Sequence, residues 1–208
     1  MINNYIRKSW GIKFVTNSTP AIDYQIIQEN FHKGFKGLPI GLGKSYGDCG
    51  VLSEGIYWDS INLQKLEIDI NSQIATCGSG VTIEQLEREA LKLGMFPPVV
   101  PGTAKLTIGG CVASDVHGKS HHVAGSFGNH LIQLVIHTST NQILTVYPEG
   151  ATSEMFWATV GGMGLTGMIV SAKIKLSRIE SRSLVSGQPR LQILFLSRYL
   201  ILFGIGNH

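Results

Sequence analysis

The sequence predicts an α+β domain made of two lobes, with a large anionic ligand held between them. Three features carry that expectation. Strand-like stretches come in hairpin pairs broken by amphipathic helices, which is not the strict alternation of a doubly wound sheet. Two glycine-dense segments, residues 42–50 (LGKSYGDCG) and 97–128 (PPVVPGTAKLTIGGCVASDVHGKSHHVAGSFG), lie far apart in the chain. Glycine costs backbone entropy, so this density argues for N–H groups closing around an anion, and a dinucleotide fits. Finally, 208 residues at 43% hydrophobic and 15% charged suffice for a sizeable core.

The elements follow in order. Apolar residues at Ile22, Ile26, Ile27 and Phe31 predict a helix over residues 22–35. Residues 37–42 read as a short strand entering the first glycine-dense loop. Residues 55–59 and 66–70 are strand-like, and Asn71-Ser72 turns the second into a partner at 73–77. Residues 82–93 form the clearest helix. Thr82 and Gln85 have capping-box spacing, and the stripe Ile83, Leu86, Ala90, Leu93 stops at Gly94. Residues 106–113 open a short helix, and 131–138 with 142–147 form a hairpin. Residues 153–160 read as a helix and 167–176 as a strand.

Bulk properties exclude several classes. A net charge of +3 favours an anionic ligand but is far from a nucleic-acid-binding stripe. Cys49, Cys77 and Cys111 are odd in number and lack a CxxC, so neither a disulfide framework nor a zinc site is indicated. A reducing, cytoplasmic setting follows, and MINNYIRKSWGIKF contains no secretory apolar region. Two nucleotide motifs nearly appear. The phosphate loop GxxxxGK[ST] needs glycine at 38, where Leu38 stands. Residues 162–167 match GxGxxG, but a helix precedes and a strand follows, the reverse of the dinucleotide fingerprint. A tight helix-to-strand turn is the simpler explanation. His117, His121 and His122 have metal-like spacing without a companion carboxylate or cysteine, so no metal is expected.

Four blocks carry a family resemblance: GLGKSYGD, VVPGT, TIGGCVASDVHGKSHHVAGSFGNH and FWATVGGMGLTGMI. Together they resemble the FAD-binding (PCMH-type) domain of the vanillyl-alcohol-oxidase-type flavoproteins. Within these the chain is most similar to the oxidase subunits of decaprenylphosphoryl-ribose 2-epimerases and related FAD-linked oxidases. The resemblance spans residues 9–178, with the blocks in the same order. It implies lobes over residues 9–75 and 76–180, within a domain of residues 1–180.

The resemblance also assigns residues. Pro39, Ile40, Gly41, Leu42, Gly43, Lys44, Ser45, Tyr46, Gly47, Asp48 and Cys49 would wrap the FAD pyrophosphate. Gly102, Thr103, Thr107, Ile108, Gly109 and Gly110 would approach from the second lobe. Ser114, Asp115, Val116 and His117 would pass along the flavin, and Ile169 would pack the adenine end through its backbone. For each position taken singly, an ordinary turn glycine or loop residue is the competing explanation. Many relatives tether the flavin through a histidine where Lys44 stands, so the FAD should be non-covalent. Ile40 replaces a common arginine and Cys49 a frequent asparagine.

The implied chemistry is hydride abstraction from an alcohol carbon by the flavin. Lys119, His117 and Tyr46 are the candidate catalytic groups. The implied substrate is a small molecule of sugar type, including lipid-linked sugars, and a separate reductase partner is implied too. A sugar-lactone oxidase and a non-catalytic flavin-binding fragment are the alternatives. After residue 184 the chain leaves the family pattern for an apolar tail, residues 181–208 in the domain division, and the substrate (cap) domain that the resemblance implies is expected to be missing. A prematurely ended reading frame is the expected cause, and a membrane anchor the alternative, although the apolar run is shorter than the ~20 residues a span requires.

Overall fold

A computed structural model describes residues 5–8, 15–21, 25, 27–29, 33, 37–52, 56–179, 195–196 and 199–200. The chain opens with β1 (Tyr5–Lys8), β2 (Val15–Ala21), β3 (Gly37–Ile40) and β4 (Ile56–Asp59). These form one sheet in the order β1-β2-β4-β3. β1 and β2 are antiparallel, whereas β4 runs parallel to both β2 and β3. β3 is an edge strand, which suits Pro39, a residue with no N–H to give a further neighbour.

The second sheet is antiparallel throughout. Its first hairpin joins β5 (Leu66–Asp69) to β6 (Ile74–Gly78). The turn between them is built by Asp69, whose carboxylate accepts from the Asn71 N–H at 2.9 Å and the Ser72 hydroxyl at 2.7 Å. The Ser72 hydrogen bond, then the Asn71 one, holds the Asp69 carboxyl below the usual range.

Helix α1 (Ile83–Lys92) follows, with the predicted capping box in place. Thr82 Oγ1 accepts from the Gln85 N–H at 3.2 Å, and Gln85 Oε1 accepts from the Thr82 N–H at 2.7 Å. Ile83, Leu86 and Ala90 are buried along one face, and Gly94 leaves the helix at φ +69°. β7 (Met95–Phe96) comes next, then α2 (Ile108–Ala113), α3 (His121–Ala124) and a 3-10 turn at Phe127–His130. β8 (Leu131–His137) and β9 (Ile143–Val146) form the predicted hairpin, and α4 (Ser153–Thr159) leads into β10 (Met168–Lys175). The sheet order is β5-β6-β10-β8-β9. β11 (Ser177–Arg178) pairs with β7, and β12 (Phe195–Leu196) pairs with β13 (Tyr199–Leu200).

The main core lies between the antiparallel sheet and its helices. Ile83 and Leu86 of α1, Ile108 and Val112 of α2, and Leu134, Ile136 and Ile174 of the sheet are all fully buried there. A smaller core gathers Ile27, Trp58 and Met168. Trp58 belongs to β4 and Met168 begins β10, so this cluster ties one sheet to the other. Each buried aliphatic side chain contributes roughly 1.5–3 kcal/mol of transfer free energy.

Most predicted elements fall within a residue or two of these bounds. The exceptions are β1 and β2, whose pairings no local pattern announces, and the parallel order in the first sheet. Of the helix predicted over residues 22–35, positions 25 and 27–29 are helical and most others lie outside the described residues. The tail beyond residue 180 also lies outside them, save the two short strands β12 and β13. Among the described residues, no helix is long and apolar enough to cross a membrane.

Candidate functional site

The first glycine-dense loop leaves the edge strand β3 and is held at both ends, from β4 and from the residue after it. At its entry the Ile40 carbonyl accepts two hydrogen bonds, from the Ser60 N–H at 2.9 Å and the Ser60 hydroxyl at 3.0 Å. At its exit the Leu52 N–H donates to the Tyr57 hydroxyl at 2.7 Å. Between these anchors the loop is open. Gly43 and Gly47 both adopt φ +64°, and a side chain built on either would meet nothing within 4 Å. Glycine takes that conformation without the steric cost that a Cβ adds. Among the described residues, the N–H groups of Gly43, Ser45, Tyr46 and Gly47 donate to no intramolecular acceptor. Within the loop, Val51 N–H reaches the Asp48 carbonyl at 2.8 Å, and the Cys49 thiol the Tyr46 carbonyl at 2.9 Å. Unpaired donors on a glycine-bent backbone are what an anionic oxygen requires.

The second glycine-dense segment touches the first. A Cβ on Gly41 would land on Thr107 Oγ1. Thr107 caps α2, accepting the Gly110 N–H at 3.2 Å. The other amides at this helix start are committed internally: Ile108 N–H to the Val81 carbonyl at 2.7 Å and Gly109 N–H to that of Ser79 at 2.9 Å. Thr107, Ile108, Gly109 and Gly110 thus bring backbone close to the first loop, but these three amides already have partners. Gly102 and Thr103 precede them as exposed residues.

A third glycine loop joins the same place. The Gly161 and Met163 N–H groups donate to the Val112 and Ala113 carbonyls at 2.9 and 2.8 Å, closing the C-terminal end of α2. A Cβ on Gly164 would sit 4.0 Å from Pro39. The GxGxxG match is the helix-to-strand turn the sequence order implies, running from α4 to β10. Its glycine content was the sequence signal for its place beside β3, although sequence reasoning assigned it only a turn.

Asp115 stands where α2, the 3-10 turn and the third glycine loop meet. It adopts φ +40°. Its Oδ1 accepts the Gly128 N–H at 2.8 Å, and its Cβ lies 3.5 Å from a Cβ placed on Gly161. This carboxylate therefore braces the site. Its neighbour Ser114 is exposed and points its hydroxyl at the Met163 sulfur, 3.9 Å away. The Phe127 N–H donates to the Val116 carbonyl at 2.8 Å, and an isolated bridge pairs His117 with Ser126. Ile169 is a core side chain, 5% exposed, paired with Ile136 at a bulge in β10. Ser79 went unnoticed in the sequence. It is fully buried where β6, α2 and β10 meet, and its hydroxyl has no hydrogen-bond partner.

The predicted catalytic groups are at the surface. His117 and Lys119 are exposed, as are His121 and His122. The His117 and His121 rings are 5.3 Å apart and those of His121 and His122 5.5 Å. His121 Nδ1 is 3.1 Å from the Gly118 carbonyl, which fixes the turn carrying Lys119. A Cβ on Gly118 would strike the Val100 carbonyl, so this turn sits directly on the PGT segment. Tyr46, 82% exposed, lies on the first loop. Among the described residues, Lys119 makes no ion pair.

Comparisons with known proteins bear on the family of the chain. The family model described as "FAD binding domain" matches residues 25–147. The decaprenylphosphoryl-beta-D-ribose oxidase of Mycolicibacterium smegmatis is 37% identical over 169 residues, covering 80% of this chain and 37% of that protein. The D-lactate dehydrogenase of Archaeoglobus fulgidus is 28% identical over 150 residues, 68% of this chain and 34% of its own length. A probable L-gulonolactone oxidase of Arabidopsis thaliana is 30% identical over 122 residues, 56% of this chain and 20% of its own. The chain thus spans 37% or less of each of these relatives. A model matching more than half the chain, including the first two glycine-dense segments, settles the family: the chain belongs to the FAD-binding domain family.

Proposed function

We propose that this chain is the cofactor-holding part of an FAD-dependent oxidoreductase that oxidises an alcohol carbon of a sugar-type substrate. The observation that carries the proposal is the loop between Ile40 and Leu52, anchored at both ends, where the N–H groups of Gly43, Ser45, Tyr46 and Gly47 are among those that donate to no acceptor within the described residues. Its fit to FAD is chemical: a pyrophosphate carries several anionic oxygens, and oriented amides on glycine-bent backbone match them. The parallel-containing sheet and the antiparallel sheet are the two lobes, which puts β5 and β6 in the second lobe instead of dividing the lobes at residue 75, and the Gly41–Thr107 contact is where their glycine segments meet.

When bound, FAD supplies a hydride acceptor. The chain's own residues do the rest. Gly43, Ser45, Tyr46 and Gly47 hold the pyrophosphate through backbone donors, with Lys44 adding positive charge. Lys44 cannot form a histidyl link, so the cofactor is held non-covalently. His117 takes or relays the proton released from the substrate hydroxyl. Lys119 sets a positive charge beside the place where negative charge builds, a preorganised contribution that side chains of this kind make to reaction rates. Tyr46 lines the substrate side. The substrate class includes lipid-linked sugars, and a separate reductase completes the conversion.

The test is anaerobic. The chain is reconstituted with FAD and exposed to a panel of sugars, sugar lactones and 2-hydroxy acids, with the longer mycobacterial relative as control. Bleaching of the flavin absorbance by a sugar alcohol group supports the proposal. Bound flavin that no substrate bleaches, while the control is reduced, would make this chain a flavin-binding module without turnover.

A further inference from the structure

We infer that Tyr57 and Ser60 are positioning residues that hold the first glycine loop in its cofactor-ready shape. This rests on the proposal that the loop receives the FAD pyrophosphate. Both side chains come from β4 or the residue after it, three positions apart, and each takes one end of the loop. Ser60 gives the Ile40 carbonyl two donors, at 2.9 and 3.0 Å. Tyr57 gives the Leu52 N–H an acceptor at 2.7 Å. Tyr57 is fully buried and Ser60 is 5% exposed, so neither can touch a ligand itself.

The physical need follows from the loop's composition. Residues 41–51 contain four glycines and little internal hydrogen bonding. Such a segment has many accessible conformations, and each costs entropy to abandon when a ligand orders it. Fixing both ends from one rigid, buried strand removes much of that freedom before binding. β4 suits this task because it lies between two parallel neighbours and its central residues are buried. Gly50 adds an internal contact, since a Cβ there would sit 3.3 Å from the Ser45 side chain. The loop is thus anchored at its ends and shaped within.

The test uses the full chain and three variants: Tyr57→Phe, Ser60→Ala and Ser60→Thr. Two quantities are read. One is the dissociation constant for FAD. The other is the rate at which trypsin cuts after Lys44 in the cofactor-free chain, against its rate after Lys105 as an internal reference. Tyr57→Phe keeps the ring and removes the hydroxyl that accepts from Leu52, so FAD affinity should fall at least about five- to tenfold, the range one lost hydrogen bond spans. Cleavage after Lys44 should quicken while cleavage after Lys105 holds. Ser60→Ala should act in the same direction but less, because its N–H still reaches Ile40. Ser60→Thr keeps a hydroxyl and should restore the parent values. If Tyr57→Phe fails to fold, the alanine and threonine variants at Ser60 decide alone. Parental FAD affinity and parental Lys44 cleavage in the variants overturn the inference. A parent chain that takes up no FAD overturns the cofactor proposal instead, and the cleavage comparison still decides whether these side chains anchor the loop.

Discussion

Replacing Gly41 with alanine tests whether the two glycine-dense segments truly meet. The new Cβ would land on Thr107 Oγ1 and stand 3.0 Å from its Cγ2 and 3.2 Å from its Cβ. Thr107 is 3% exposed and its hydroxyl caps α2, so it cannot swing aside freely. Overpacking of this kind costs about 1–3 kcal/mol, and losing the cap adds about 1 kcal/mol. Gly41→Ala should therefore destabilise by roughly 2–4 kcal/mol. Thr107→Ala alone should cost about 1–2 kcal/mol for the cap and the lost methyl. The double variant removes both clashing γ atoms and leaves only the 3.2 Å approach to Cβ, which a small shift relieves. It should recover about 1–2 kcal/mol relative to the sum of the singles. Urea unfolding of all four chains measures this, and thermal melting reads it as about 2–4 °C per kcal/mol. Single effects that simply add, within about 0.5 kcal/mol, would mean that the two segments are not in contact and would refute the reasoning.

Other predictions follow from the same geometry. Acid or heat denaturation should release all bound flavin, because Lys44 offers no histidyl link; fluorescence retained by the denatured chain in a gel would contradict this. The equivalent of Lys119→Ala, made in a longer relative that carries lysine at the aligned position, should slow stopped-flow flavin reduction by ~10²–10³ while leaving FAD affinity nearly unchanged. Loss of FAD instead would reassign that lysine to cofactor binding. Burial pushes the Cys77 and Cys111 thiols up to about 12, whereas Cys49 is exposed. A thiol reagent should therefore label one cysteine in the native chain and three after unfolding. The raised thiols also fix the sign of an alkaline effect. Below the unfolded thiol range both states are protonated and stability is unaffected. Above roughly pH 9 the unfolded chain loses protons that the folded chain keeps, so stability should fall until about 12, by up to ~1.4 kcal/mol per pH unit per thiol.

How much was legible in the sequence depended on how local its cause was. The capping box at Thr82 and Gln85 was fully readable, because both hydrogen bonds close within three residues. The hairpins at Asn71-Ser72 and around residues 139–141 were readable for the same reason. The first sheet was not. Its parallel pairings join residues 19–21 and 37–40 to 56–59, and no periodicity reports a partner so far along the chain. In the site, glycine density identified both main loops. It could not distinguish free amides from committed ones: those of Gly43 and Gly47 are open, whereas those of Ile108 and Gly109 are spent on Val81 and Ser79. Nor could it give Asp115 its bracing contact with Gly128, or bring the loop at residues 161–167 beside Pro39, since both depend on how α2 and α4 pack.

The central claim is that backbone amides of the first loop hold the FAD pyrophosphate. It is tested most directly by amide NMR of the cofactor-free chain during titration with FAD, ADP and riboflavin. The Gly43, Ser45, Tyr46 and Gly47 resonances should move together with FAD and with ADP, which share the pyrophosphate, and should stay in place with riboflavin, which lacks it. Shifts confined to other segments, or loop resonances that respond to riboflavin as strongly as to ADP, would contradict the account.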